Sequence, residues 1–140
     1  MKYVIYCSRS LVPHNSEIHN EILRVSQKNN AADRLTGFLH REGDYFLQYL
    51  EGPKEKLFET VARIGRDPRH TDFQILKSDW CQRILLPNWS MGYVNSGLLN
   101  LGDLLETDDL GLKLRTEDPF DLIVFLVNNA QALRESALAG

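Results

Sequence analysis

Gly43-Asp44-Tyr45-Phe46-Leu47-Gln48-Tyr49-Leu50-Glu51-Gly52 reads as a strand that is apolar or aromatic on both faces. Side chains alternate across a strand, so Tyr45, Leu47 and Tyr49 point one way and Phe46 and Leu50 the other. Gln48 falls on the Phe46/Leu50 face and interrupts it. A buried carboxamide without partners costs roughly 1–3 kcal/mol. Gln48 therefore needs either an internal partner, such as backbone or a buried water, or a bound ligand with donors and acceptors.

Working outward, Leu35-Thr36-Gly37-Phe38-Leu39-His40 is a second strand, joined to the first by the turn Arg41-Glu42-Gly43-Asp44 to make a hairpin. Downstream, Gly52-Pro53 stops the strand. Leu57, Val61 and Ile64, flanked by Phe58 and Ala62, give an amphipathic helix ending near Gly65. Arg63 is four residues from both Glu59 and Asp67, a spacing that suits a solvated ion pair. Asp67-Pro68-Arg69-His70 is a turn, Phe73 to Ser78 a strand, and Trp80 to Asn88 an irregular crossing. Trp89 to Val94 then resumes alternation.

Upstream, Tyr3 to Cys7 is a β-branched and aromatic strand with Tyr3, Ile5 and Cys7 on one face and Val4 and Tyr6 on the other. Ser16 is a helix N-cap, and Ile18, Ile22 and Val25 recur at helical spacing. The stripe continues to Asn29, with Asn30 in the adjoining row. Two amides at a helix end serve either as C-terminal caps or as ligand contacts. The order strand, helix, strand, strand, helix, strand, strand predicts an α+β fold. It is a ferredoxin-like βαββαββ sheet with both helices on one face.

Past residue 95 the pattern turns helical, with a short segment at Leu98 to Leu105 and a longer one from Asp118-Pro119 to about Arg134. Residues 1–95 thus form the predicted core domain and residues 96–140 a C-terminal helical extension. Phe120, Ile123, Val124 and Val127 line one side of the long helix, while Leu122, Phe125 and Leu126 spread the apolar surface further round. Such a helix needs more than one partner surface, here the sheet and a subunit or partner interface.

Composition narrows the class. The 43% hydrophobic and 25% charged content of these 140 residues is that of an ordinary globular domain, and no run reaches membrane-spanning length or resembles a signal peptide. A cytoplasmic location is the default expectation. Cys7 and Cys81 lack metal or redox spacing and read as free thiols. A net charge of −3 argues against nucleic acid as the main partner. The four histidines show no metal-ligand spacing, and no nucleophile motif or glycine-rich phosphate loop is visible.

Taken together, Tyr6 with Cys7-Ser8-Arg9, Asn29-Asn30 before Leu35-Thr36-Gly37, Phe46-Leu47-Gln48 with Leu50-Glu51-Gly52, Arg63 to His70, and Trp89-Ser90-Met91 resemble the BLUF domain, a blue-light sensor that uses FAD. The likeness runs from about Tyr3 to Val94. It implies FAD, with FMN or riboflavin as substitutes, lying between the two helices with Tyr6 and Gln48 beside its reactive edge. It further implies that Asn30 bonds the polar edge of the ring, and that Asn29, Arg63, Asp67 and Arg69 serve the ring flank or the ribityl and phosphate tail. Ile22, Leu39 and Phe46 would be apolar walls, and Trp89 and Met91 the signal relay. The implied function is light sensing without enzymatic activity, passed to a homo-oligomer or a downstream signalling protein. The residues considered alone leave room for two other readings. One is a small acylphosphatase-type hydrolase, which lacks the expected anion loop beside Arg9 or Arg63; the other is a ligand-binding or dimerisation module without photochemistry. On this chain no space is expected for a cyclase or phosphodiesterase domain.

Overall fold

The computed structural model describes residues 1–13, 17–86, 92–95 and 109–139. The elements are β1 (Lys2–Ser10), α1 (Glu17–Ala32), β2 (Thr36–Glu42), β3 (Tyr45–Gly52), α2 (Lys54–Gly65), β4 (His70–Trp80), β5 (Gly92–Asn95), α3 (Leu110–Thr116) and α4 (Pro119–Ala139). The sheet order is β4-β1-β3-β2-β5. β1 is antiparallel to β3 and β4, β2 is antiparallel to β3, and β5 adds to the outer edge of β2 in parallel. This is the ferredoxin-like arrangement with one added strand that the element order predicts.

Strands β1 and β3 are central, and helices cover them on both faces. Val4, Leu35, Leu39 and Leu50 pack with Leu57 and Val61 of α2 and with Leu23 of α1, so both of these helices lie on one face. Ile5, Cys7, Phe38, Leu47 and Tyr49 face the other way and pack against α3 and α4 through Leu110, Leu114, Leu122, Ile123, Phe125, Leu126 and Ala130. The alternation in Gly43–Gly52 therefore separates two cores.

Local chemistry places the ends. The β2–β3 hairpin closes through Gly43-Asp44, with Gly43 at φ +59°, a left-handed position suited to glycine. Asp118 accepts from the Phe120 N–H at 2.9 Å and Pro119 opens α4, as the Asp-Pro pair predicts. Gly37 permits close contact between strands, since a Cβ there would stand 2.3 Å from the Tyr49 carbonyl oxygen.

Several expectations need adjustment. β4 spans His70–Trp80 rather than only Phe73 to Ser78, and its pairing with β1 shifts register twice, with Asp72 at φ +55° near one of the irregularities. α1 continues to Ala32, so Asn29 and Asn30 are inside its last turn and do not cap it from beyond the helix. Arg34, at φ +59°, takes the left-handed position after it. α4 runs on past Arg134 to Ala139, and α3 was not expected. The N-cap at Ser16, the helix at Leu98 to Leu105, and Trp89 and Met91 all lie outside the described residues.

Candidate functional site

Register brings the two residues of greatest interest together. Tyr6 of β1 is the Cα partner of Gln48 of β3, and paired residues project to the same side of a sheet. Both side chains are buried, at 4% and 2% exposure, and the Tyr6 hydroxyl donates to Gln48 Oε1 in a close hydrogen bond. Burial, and after it the Asp67 carboxylate, raises the Tyr6 phenol above its ordinary value near 10. The phenol is therefore protonated at neutral pH and acts as the donor, which turns the amide oxygen towards it. Phe73 steadies the phenol ring, with centroids 4.9 Å apart.

Tyr6 and Gln48 form part of the wall of a cavity of about 260 Å³ between α1, α2 and this face of the sheet. That is near the lower end of small-molecule sites, roughly 300 Å³. Ile22 comes from α1, Leu39 from β2, and Phe46 and Leu50 from β3, forming apolar walls. Asn29 and Asn30 enter from the last turn of α1, and Asn30 is buried at 2%. Arg63, Asp67 and Arg69 come from the end of α2 and the turn after it. Every residue expected on the cofactor side thus lines this one cavity.

The polar groups are not evenly disposed. Gln48 and Asn30 are buried, whereas Arg63 and Arg69 are exposed and stand at the mouth. Asp67 holds Arg69 through three guanidinium contacts, Nε to Oδ1 at 2.9 Å, Nε to Oδ2 at 3.1 Å and Nη2 to Oδ2 at 2.5 Å. Those bonds draw the Asp67 carboxyl below its ordinary range and raise the Arg69 guanidinium further. Arg63 does not make the expected helix pair. Among the described residues Glu59 pairs with Lys56 at 3.8 Å and Asp67 with Arg69, so no ion pair engages Arg63. A cavity with apolar walls, buried amides and cations at its mouth suits a planar heteroaromatic ring with a phosphate tail.

Sequence reasoning missed other contributors. His70 lines the cavity, its Nδ1 2.8 Å from Ser8 Oγ and its Nε2 2.5 Å from the Ile64 carbonyl oxygen, and so ties β1 to the end of α2. The sequence places it in a turn and in the Arg63–His70 stretch of the resemblance, without a role at the site. Thr60 and Ser10 also line the cavity, and small hydroxyl residues carry no periodic signal. Arg41, read as part of a turn, is fully buried. It donates to the carbonyls of Val12 at 2.7 Å and Gly43 at 3.0 Å, and its guanidinium lies 5.1 Å from the Phe46 ring centroid.

An α+β sheet whose two helices on one face enclose an amphipathic cavity, with a buried tyrosine–glutamine pair in its wall, defines a small-molecule-binding domain. Residues 1–92 match the model of the BLUF family, sensors of blue light using FAD, and the chain belongs to that family. It is similar to the photoactivated adenylate cyclase subunit beta of Euglena gracilis, 32% identical over 87 residues, which are 61% of this chain and 10% of that protein. The chain thus spans only about a tenth of the length of such curated relatives. Among solved structures, the BLUF protein BlrB in its dark state is 25% identical with a TM-score of 0.72, covering 95% of this chain and 96% of that one. A bacterial light-regulated adenylyl cyclase is 29% identical with a TM-score of 0.69, covering 93% and 39%. Blue-light sensing through a bound flavin is the function of this family. Among the described residues no helix is long and apolar enough to cross a membrane.

Proposed function

We propose that this chain is a cytoplasmic blue-light photosensor that holds FAD in the α1/α2 cavity, accepts FMN or riboflavin in its place, and passes its state to a partner protein or an oligomer interface without catalysing a reaction of its own. The observation that carries this reading is the buried Tyr6–Gln48 hydrogen bond at the wall of a cavity lined by Asn29, Asn30, Arg63 and Arg69. When bound, the flavin supplies blue-light absorption and an excited state able to take up an electron and a proton.

Tyr6 is the donor of both. Its raised pKa keeps the phenolic proton in place in the dark, and its O–H already points to Gln48. After Tyr6 has given up an electron and the proton, both return to it and the phenol is restored. Gln48 holds the lasting change. Its amide has an acceptor and a donor of similar shape, so rotation or tautomerisation alters the hydrogen bonds it makes while the cavity keeps its volume. Asn30 and Asn29 orient the ring through amide groups, Ile22, Leu39 and Phe46 exclude water from its faces, and Arg63 and Arg69, with Asp67, hold the charged tail. Trp89 and Met91 are proposed to relay the change towards the C-terminal helices.

Colour and its response to light test the proposal. Purified protein is expected to be yellow, and its absorption to shift to the red under blue light and recover in the dark. Tyr6→Phe and Gln48→Leu are each expected to keep flavin and lose the reversible shift, whereas a normal shift in either would remove that residue from the mechanism. A colourless protein that cannot be reconstituted with flavin would end the reading altogether.

A further inference from the structure

Among the described residues the interface between the sheet and α4 is mainly apolar, with a buried polar contact between β2 and α4. His40 of β2 and Asn129 of α4 meet there with 1% and 0% exposure, Asn129 Nδ2 standing 3.1 Å from His40 Nδ1. The other imidazole nitrogen, Nε2, lies 2.9 Å from Glu42 Oε1. A carboxylate only accepts, so Nε2 carries the ring proton and Nδ1 accepts from the amide. Asn129 Oδ1 is left buried and without a hydrogen-bond partner among the described residues. Phe125 sets its ring edge-on to His40, with centroids 5.0 Å apart, and closes the site from α4.

An orphaned oxygen beside a satisfied nitrogen marks an amide with a second orientation. If His40 gains a proton at Nδ1, both ring nitrogens donate and the present Nδ2 contact turns repulsive. Asn129 then rotates so that Oδ1 accepts. The two arrangements share one heavy-atom frame and differ by one proton, which solvent supplies to the second. Among the described residues Glu42 is the titratable group that faces the ring. Burial pushes the His40 pKa down and Glu42 pushes it part of the way back, so the ring is neutral in the arrangement seen.

The position of this pair links it to the cavity. Leu39, a cavity wall, is the Cα partner of Gln48, and His40 is the next residue along β2, projecting through to the other face of the sheet. We infer that the His40–Asn129 pair is a two-state latch through which a change at Gln48 reaches α4: displacement of β2 breaks the amide contact to the neutral ring and changes how tightly α4 is held. This rests on the photosensor reading for its input, while the latch itself belongs to the protein in the dark as well.

The test uses the full flavin-loaded chain, with hydrogen exchange at α4 amides measured in the dark and under blue light beside the visible spectrum. Illumination of the wild type is expected to change exchange near Asn129 by about threefold or more. Asn129→Leu keeps the side-chain volume and removes both amide groups. It is expected to stay yellow and to red-shift, with that change in exchange reduced to less than about half; an undiminished α4 response overturns the latch. Asn129→Asp offers only acceptors, so an NMR titration in the dark is expected to show the His40 pKa raised by about one unit or more, and an unmoved value overturns the contact. If the wild type fails to red-shift, the photosensor reading fails by itself, and the dark titration still decides whether the latch exists.

Discussion

Under α4 the sheet presents Ile5, Phe38, Leu47 and Tyr49 to Leu122, Leu126 and Ala130, all at most 1% exposed. Under α1 and α2 the same strands present Tyr6, Leu39, Phe46 and Gln48, but there Ile22, Asn29, Phe46 and Ile64 stay half-buried around a cavity of about 260 Å³. Because both faces belong to the same strands, the difference comes from the helices. α4 is apolar on several sides and fills the space against the sheet with branched and aromatic side chains. α1 carries one narrow stripe that ends in two amides, and Val25 on that stripe is 40% exposed while lining the cavity. A helix that does not complete the core leaves an amphipathic gap, and a ligand with matching faces completes it.

Deleting apolar volume from each face is the strongest way to break this comparison. Leu126→Ala removes a fully buried side chain from the filled face and is expected to cost about 2–5 kcal/mol in denaturant unfolding, while flavin affinity in the folded fraction stays within about twofold. Ile22→Ala on the cavity face is expected to cost under about 1 kcal/mol in the flavin-free protein and to weaken flavin binding by about tenfold. Equal stability losses at the two positions would mean that the cavity collapses when empty and that the faces do not differ in packing.

Much of this division was legible beforehand. The alternation in Gly43–Gly52 separates Leu47 and Tyr49 from Phe46, Gln48 and Leu50, and the same parity puts Tyr6 opposite Ile5 and Cys7. Parity cannot say that Tyr6 meets Gln48. That contact depends on the register of β1 against β3, and strands buried on both faces constrain register only weakly from their own pattern. The resemblance paired the two residues before the register was known. Arg41 was not legible as a buried residue, because an arginine beside a turn is ordinarily solvated and one of its acceptors, the Val12 carbonyl, is 29 positions away. α3 was missed because Leu110, Leu112 and Leu114 recur at period two, the spacing of a strand.

A smaller effect sharpens the comparison through pH, because the filled face also encloses a carboxyl group. Glu51 is fully buried and accepts from the Leu85 N–H at 2.5 Å and the Leu86 N–H at 3.3 Å. Tyr49 hydrogen-bonds to it, while Cys81 and Tyr3 complete the titratable cluster. Burial outweighs those bonds and pushes its pKa up to about 7 from an ordinary 4.5. The folded state therefore holds the Glu51 proton more tightly than the unfolded state does. The stability this gives is complete below 4.5 and is lost as pH rises through about 7. Between pH 6 and 8 the wild-type Tm is expected to fall by about 3 °C or more relative to Glu51→Gln, which keeps an acceptor and cannot ionise. Parallel pH profiles for the two proteins would show that Glu51 is already ionised at pH 6.

The weakest expected effect on stability is at the mouth of the cavity, where the comparison predicts function without cohesion. Arg69 is 47% and Asp67 25% exposed on their side chains, so despite the short contacts their ion pair is screened by water and contributes little to folding. The Asp67 pKa is lowered, chiefly by its bonds to Arg69. Its contribution to stability is present above the ordinary carboxylate range and fades as pH falls through the lowered value. Arg69→Gln is accordingly expected to change unfolding free energy by less than about 1 kcal/mol at neutral pH. The same substitution removes a cation that the flavin's phosphates would meet, so FAD affinity is expected to fall by about fivefold while riboflavin, which has no phosphate, binds as before. Isothermal titration of the flavin-free protein with both compounds reads the ratio directly. Equal losses for FAD and riboflavin would place Arg69 beside the ring rather than the tail, and a stability loss above about 2 kcal/mol would make the mouth part of the core it is contrasted with.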